Sequence, residues 1–77
     1  MNLDEVPRSG RAIVTSLDAT GPERRRLMDL GVVPGVEMVV ENTSPLGDPT
    51  AYRVRGAVIA LRRGQARGIH VSSGAAR

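Results

Sequence analysis

The chain has 77 residues with a formal net charge of +3, and it contains 11 arginines, no lysine and no cysteine. The lack of cysteine excludes disulfides, thiolate nucleophiles and cysteine-ligated metal centres, and the length allows one small domain. The longest apolar run, Ala57–Leu61, is far too short to span a membrane, and the acidic start is unlike a signal peptide. We therefore expect one cytoplasmic domain over residues 1–77, with a core from about 3 to 71 and a flexible tail over 72–77.

The charges are divided unevenly along the chain. Residues 1–48 hold five arginines and eight carboxylates, whereas residues 49–77 hold six arginines and no carboxylate. A basic half of this kind is typical either of solvated strand faces or of a polyanion site, and we favour the strand faces.

The first half of the chain predicts a strand followed by the single convincing helix. Arg11–Leu17 is rich in β-branched residues, which favours a strand. Thr20 and Glu23 have the spacing of a capping box, which predicts a helix start. We expect a helix of about eight to ten residues, with Leu27 and Leu30 on the face that docks on the rest of the domain.

Glycine and proline divide the remainder into short strands. Gly31 and Pro34 end the helix, and Val33-Pro34-Gly35 has the pattern of a type II turn. Alternating segments then predict four more strands, with a reversal at Gly56-Ala57 and only a 3₁₀-like turn over Arg63–Gly68. Five short strands with one inserted helix predict a mainly β fold, a small, strongly bent barrel. These strands begin near Val36, Thr50, Val58 and Ile69.

No catalytic, cofactor or metal site is predicted. His70 is the sole histidine, the serines lack a nucleophile-elbow motif, and the carboxylates are dispersed. Asp48, between Gly47 and Pro49, is interpreted as a turn residue that accepts local N–H bonds. Tyr52 is the only aromatic residue, so grooves for proline-rich peptides and stacking platforms for single-stranded nucleic acid are excluded. We expect a protein that is not an enzyme.

Three stretches in register carry a resemblance to a known family. They are Leu27-x-x-Leu30-Gly31-Val32-Val33-Pro34-Gly35; Pro45-Leu46-Gly47-Asp48-Pro49 followed by Tyr52-Arg53-Val54-Arg55-Gly56; and Ala60-Leu61-Arg62-Arg63-x-x-Ala66-x-x-Ile69-x-Val71. In this order the chain resembles FeoA, the small cytosolic component of bacterial ferrous iron transport. The resemblance implies an SH3-like barrel, also found as the C-terminal domain of repressors of the diphtheria toxin repressor type. It implies action beside FeoB, the permease with a cytosolic GTP-binding portion, as an interaction module. The family also carries a transition-metal-binding label, but we expect no tight intrinsic metal site here.

Most motif residues are expected to be structural, and the contact residues to lie elsewhere. Turn and core roles are predicted for Leu27, Leu30, Gly31, Pro34, Gly35, Gly47, Asp48, Pro49, Gly56, Ala60, Leu61, Ala66 and Ile69. The candidate partner-binding residues are Arg24, Arg25 and Met28 on the helix and Arg53, Arg55 and Arg62 on the basic strands. Met28 either packs inward or joins an interface, since methionine and arginine are both enriched in interfaces.

Two other functions and one assembly remain open from the sequence. The chain fits a free-standing accessory domain of an iron-dependent transcriptional regulator, or a barrel that binds RNA or the ribosome weakly through its basic half. Exposed edges of a short barrel also allow two chains to pair as a homo-oligomer. We expect no specific nucleic-acid partner and no direct membrane insertion. Membrane association would be peripheral, at the inner face, through the permease.

Overall fold

The computed structural model describes residues 1–73, which form one antiparallel sheet with strand order β4-β3-β2-β1-β5. Register shifts between Val14 and Ser16 in β1, and between Val40 and Asn42 in β2, bend the sheet around its buried face. The mainly β architecture with a short helix after the first strand agrees with the sequence prediction. The elements are a 3₁₀ turn (Leu3–Glu5), β1 (Arg11–Leu17), α1 (Gly21–Asp29), β2 (Glu37–Thr43), β3 (Thr50–Val54), β4 (Ala57–Leu61), α2 (Arg63–Arg67) and β5 (Ile69–Ser73).

The two ends of α1 are formed by different local structures. Thr20 is the N-cap, but its side chain makes no capping hydrogen bond, and Glu23 Oε2 instead accepts from Gln65 Nε2 at 3.2 Å. The predicted capping box is therefore wrong. At the other end Gly31 has φ +98°, and its N–H donates to the Met28 carbonyl at 2.9 Å. The N–H of the next residue, Val32, donates to the Leu27 carbonyl at 3.0 Å, which completes a Schellman motif.

This helix end explains why one predicted core leucine is exposed. Leu27 is buried, but Leu30 is the C-cap and its residue surface is 40 % exposed. The left-handed turn at Gly31 redirects the chain so that Val32 is fully buried beside Leu27. Placing Leu30 in the core was therefore wrong, because Val32 occupies the inward position.

The hairpin of β3 and β4 corrects two further predictions. Its turn is Arg55-Gly56, with φ +53° and +84°, and not Gly56-Ala57. Arg55 therefore lies in a turn, not on a strand. In β4, Leu61 is buried whereas Ala60 is exposed, because neighbouring strand residues point to opposite faces.

The segment after β4 is a short α-helix rather than the predicted 3₁₀-like turn. Asp48 Oδ1 accepts a hydrogen bond from the N–H of Arg63, the first residue of α2, at 2.9 Å. Gln65 Oε1 accepts from the N–H of Arg62 at 2.9 Å, and Ala66 is buried below. Asp48 thus accepts from a distant N–H, while the Asp48 N–H itself donates to Ser44 Oγ at 3.0 Å.

The remaining structural residues occupy their expected positions. Gly35 and Gly47 have φ +95° and +86°, and the Val36 N–H donates to the Val33 carbonyl at 3.1 Å across the turn at Pro34. Ile69 is buried at the start of β5. That strand extends through Ser72 and Ser73, so these two residues of the predicted tail are in the sheet, and 74–77 lie outside the described residues. Over residues 1–73, the structure contains no helix with the length and hydrophobicity of a membrane span.

Candidate protein-interaction site

The outer surface of α1 gathers three of the predicted contact residues around a shallow, open cavity of about 400 Å³. Gly21, Arg24, Arg25, Met28 and Asp29 line it. Arg24 and Met28 are one helical turn apart, as are Gly21 and Arg25, so the helix places these residues on one surface. We call this surface the α1 face.

Met28 points outward, which decides the alternative that the sequence left open. Its residue surface is 40 % exposed, whereas Leu27 beside it is buried and anchors the helix. An exposed methionine offers a flexible apolar contact that adapts to different partner shapes. The α1 face therefore combines an apolar patch with cationic side chains.

The arginines of the α1 face are not neutralised within the described part of the chain. Arg24 is half-buried and its Nη1 lies 3.5 Å from the Leu17 carbonyl, while Arg25 is exposed. Neither of them, nor the neighbouring Arg26, lies within salt-bridge distance of a carboxylate among residues 1–73. Asp29 is the single carboxylate that lines the cavity. The face is net positive and suits a partner that supplies carboxylates.

Arg53 and Arg55 lie together elsewhere, but Arg53 is already engaged. Its Nε is 2.6 Å from Glu41 Oε2, and this hydrogen bond lowers the pKa of Glu41 and raises that of Arg53. Both arginines line an open cavity of about 320 Å³ beside Val36 and Glu37. Arg53 is therefore less available to a partner than its position in the sequence suggests.

Arg55 connects this second cavity to the end of α1. A Cβ on Gly31 would lie 3.5 Å from Arg55 Cδ, so the hairpin turn approaches the C-terminal end of the helix. Arg62 lines neither cavity and is the N-cap residue of α2. The structure thus places Arg24, Arg25 and Met28 on one surface, and Arg53 and Arg55 beside a second cavity. Arg62 lies apart from both.

Leu46 is an exposed residue that the candidate set omitted. It is 92 % exposed at the tip of the loop between β2 and β3. The loop is held by a hydrogen bond from the Gly47 N–H to the Ser44 carbonyl at 2.8 Å, and by the contact of Asp48 with α2. Its signal in the sequence was an apolar residue between the turn residues Pro45 and Gly47.

The titratable side chains form small pairs rather than clusters. Asp18 Oδ1 lies 2.8 Å from Nε2 of the half-buried His70, a pair not predicted from the sequence. Arg67 Nε lies 3.7 Å from Asp4 Oδ2, and Arg11 Nη1 lies 3.9 Å from Glu37 Oε2. Among residues 1–73, no group of three histidine, aspartate or glutamate side chains has the geometry to hold a metal ion.

Comparison with known proteins identifies the family. The family model described as the FeoA domain matches residues 1–73. The chain belongs to the FeoA family. The solution structure of the FeoA protein from Chlorobium tepidum has a TM-score of 0.92 and 44% sequence identity, covering 97% of this chain and 71% of that one. FeoA of Stenotrophomonas maltophilia, solved with zinc and described as an SH3 domain protein, has a TM-score of 0.82 and 33% identity over 94% of this chain and 89% of its own.

A relative from Porphyromonas gingivalis extends the comparison beyond free-standing domains. It is named as a fusion of Fe(2+) transport protein A with the Fe(2+) transporter FeoB, and it is 32% identical over 71 residues. This match covers 92% of the present chain but only 8% of the fusion protein. A manganese-dependent transcriptional repressor has a TM-score of 0.84 at 17% identity, a likeness that shows the SH3-like fold alone.

Proposed function

We propose that this FeoA-family chain is a cytoplasmic accessory protein of ferrous iron uptake that docks on the cytosolic GTP-binding portion of a FeoB-like permease. The observation that supports it most is the Porphyromonas gingivalis relative, in which a similar domain and FeoB are one polypeptide. A fusion keeps two domains at high effective concentration, and a docking surface serves the same purpose where the two domains are on separate chains.

The α1 face supports this role through its chemistry. Arg24 and Arg25 lack carboxylate partners within residues 1–73, and Met28 exposes apolar surface between them. Charge complementarity speeds encounter with an acidic surface and selects the correct partner, whereas the apolar contact adds affinity once water is excluded. The α1 face therefore offers both a positive charge that attracts an acidic partner and an apolar contact.

The proposed action is modulation without catalysis. A protein that binds one conformation of the permease more tightly shifts the equilibrium towards it by its difference in affinity. The chain has no cysteine or lysine nucleophile and one histidine, which favours a binding role over bond-making chemistry. Under this proposal the Fe²⁺ ion is the cargo of the permease and is not held by this chain.

The test is calorimetric titration of the cognate permease's cytosolic portion, loaded with GDP or with a non-hydrolysable GTP analogue, with this chain. We expect saturable binding whose affinity differs between the two nucleotide states. Arg25→Glu should weaken it by about tenfold, close to 1.4 kcal/mol.

Arg26→Glu is the matched control, because it makes the same charge change on the same helix but lies outside the cavity of the α1 face. We expect it to weaken binding by less than about threefold, as long-range electrostatics alone predicts. No binding in either nucleotide state, to the cytosolic portion or to the whole permease, contradicts the proposal. Equal losses for the two variants contradict the assigned surface.

A further inference from the structure

The two edges of the sheet are treated differently by the chain. The outer edge of β5 is covered by the first residues, since the Val71 N–H donates to the Met1 carbonyl at 2.8 Å and Asn2 forms a β-bridge with His70. The other edge is β4, which pairs only with β3 among the described residues. Within residues 1–73, one edge is therefore covered by the chain itself and the other is left unpaired.

The open edge presents regularly spaced backbone groups. The two-residue turn at Arg55-Gly56 makes Val54–Ala57 and Tyr52–Ile59 the pairs that exchange hydrogen bonds within the hairpin. The N–H and C=O groups of the alternate residues, Val58 and Ala60, then point away from β3. Neither residue contributes a backbone group to any other hydrogen bond over residues 1–73.

The side chains of β4 do not protect this edge. All five residues of Ala57–Leu61 are apolar, and Val58 is 55 % exposed. The strand lacks the proline, inward charge or bulge by which proteins usually block an unpaired edge. A Cβ on Gly56 or on Gly64, near the two ends, would meet nothing within 4 Å, so both ends are open to an approaching chain.

The flanking charges determine which chain fits. Arg55 precedes β4 and Arg62 and Arg63 follow it, and none of the three forms a salt bridge among the described residues. An antiparallel second copy centred on Ile59 brings the Arg55 end of each strand to the Arg62 end of the other, and a parallel copy brings like residues together. Both arrangements oppose like charges, which destabilises strand pairing. A strand with acidic ends has the complementary pattern.

We propose that β4 is a strand-addition site for an extended segment of another protein, with alternating apolar residues between acidic ends. The added strand pairs with the backbone groups of Val58 and Ala60, and its end carboxylates meet Arg55 and Arg62. Main-chain pairing supplies the contact, and the charges at the ends select partner over self. The site is separate from the α1 face and does not depend on what docks there.

The test uses hydrogen exchange by NMR with a synthetic peptide as probe, Asp-Glu-Val-Thr-Val-Thr-Val-Glu-Asp, added up to millimolar concentration. In the free chain the Val58 and Ala60 amides should exchange fast, and the peptide should slow them by tenfold or more. A control peptide with lysine at the four acidic positions should give at most a third of that protection.

Two variants separate strand pairing from non-specific contact. Ala60→Pro removes an outward N–H that the β3–β4 ladder does not use, and should abolish protection at Val58, while Ala60→Ser should retain it. Arg62→Glu leaves the backbone intact and should reduce the preference for the acidic peptide, since only Arg55 and Arg63 then remain as cations at the ends of β4. Fast exchange of both amides at saturating probe, or equal protection by the lysine peptide, overturns the proposal. A free chain that sediments as a dimer with both amides already protected also overturns it, since a second copy would then occupy the edge.

Discussion

The α1 face and the β4 edge offer contacts of opposite kinds. The α1 face is made of side chains, Arg24, Arg25 and Met28, whose positions follow from helical spacing. The β4 edge is made of the outward backbone groups of Val58 and Ala60, which no element within residues 1–73 pairs with. A side-chain surface depends on which residues stand where, whereas an edge depends on what the rest of the fold leaves unpaired. Substitutions that act through the helix, the hairpin or the local charges should therefore separate the two.

The largest effect should come from the anchor of α1. Leu27 is the one buried side chain of the helix, so Leu27→Ala removes the contact that holds the α1 face to the sheet. Loss of a buried leucine costs about 2–5 kcal/mol, and urea denaturation should show a loss in this range. Leu30→Ala is the control: because Leu30 is 40 % exposed, it should cost less than about 1 kcal/mol. Equal losses would contradict the assignment of Val32, rather than Leu30, to the core.

The next effect distinguishes a glycine that follows α1 from a glycine inside α2. Gly31 has φ +98°, and an added Cβ would lie 3.5 Å from Arg55 Cδ, so Gly31→Ala should destabilise by about 1–2 kcal/mol through backbone strain. Gly64 lies inside α2 with open space around it, so Gly64→Ala should stabilise by about 0.5–1 kcal/mol. Thermal unfolding of both variants measures the difference in sign. A destabilised Gly64→Ala would show that α2 is not helical in solution.

Alkaline pH should test the hairpin that carries β4. Tyr52, the cross-strand partner of Ile59, is 3 % exposed, and burial raises its pKa above the usual value of 10.0. A raised folded-state pKa gives stability that is complete below the unfolded pKa and is lost as pH rises through the folded pKa. Urea denaturation should therefore show stability falling above about pH 10. Tyr52→Phe should remove that decline, and an unchanged decline in the variant would assign it to another group.

The smallest effect concerns the charge next to the β4 edge. Arg53, opposite Val58 in the hairpin, is held by Glu41, and this contact lowers the pKa of Glu41. A depressed carboxylate pKa gives stability that is present above the unfolded value and is lost as pH falls through the folded one. Glu41→Gln should therefore lower stability slightly at neutral pH, and the difference should vanish at strongly acidic pH.

The same variant should affect the β4 edge in the opposite direction. Glu41→Gln releases Arg53 beside Val58, so the affinity for the peptide with acidic ends should rise, by less than about threefold. Glu37→Gln is a control, because Glu37 lines the same cavity as Arg53 but pairs with Arg11 at 3.9 Å, so this variant makes the same charge change without releasing Arg53. Tighter binding by Glu37→Gln alone would show that net charge, and not Arg53, controls the contact.

The sequence predicted what depends on local pattern. The strand order along the chain, the length of α1, the turn at Gly35 and the core positions of Leu27, Leu61 and Ile69 all follow from alternation, helical spacing and glycine placement. Leu30 and Ala60 were wrongly assigned to the core. Leu30 lies one helical turn from the buried Leu27, and Ala60 is next to the buried Leu61. Only the Schellman turn and the strand pleat decide which of the two points inward.

What the sequence did not reveal depends on contacts between distant residues. The first N–H of α2, at Arg63, donates to Asp48, which lies 15 residues earlier in the chain. The salt bridge of Arg53 with Glu41 and the position of Arg55 beside Gly31 are contacts of the same kind. The difference between the two edges of the sheet is a further case. The sequence shows that β4 is apolar, but it does not show that residues 1 and 2 cover β5 and leave β4 unpaired within residues 1–73.

Docking through the α1 face is tested by an NMR footprint of this chain with the cognate permease's cytosolic portion in the tighter-binding nucleotide state. We predict that the amide signals of Arg24, Arg25 and Met28 shift or broaden on binding, while those of Arg62 and Arg63 do not. A footprint that misses α1, or the absence of any footprint at saturating concentrations, would contradict it.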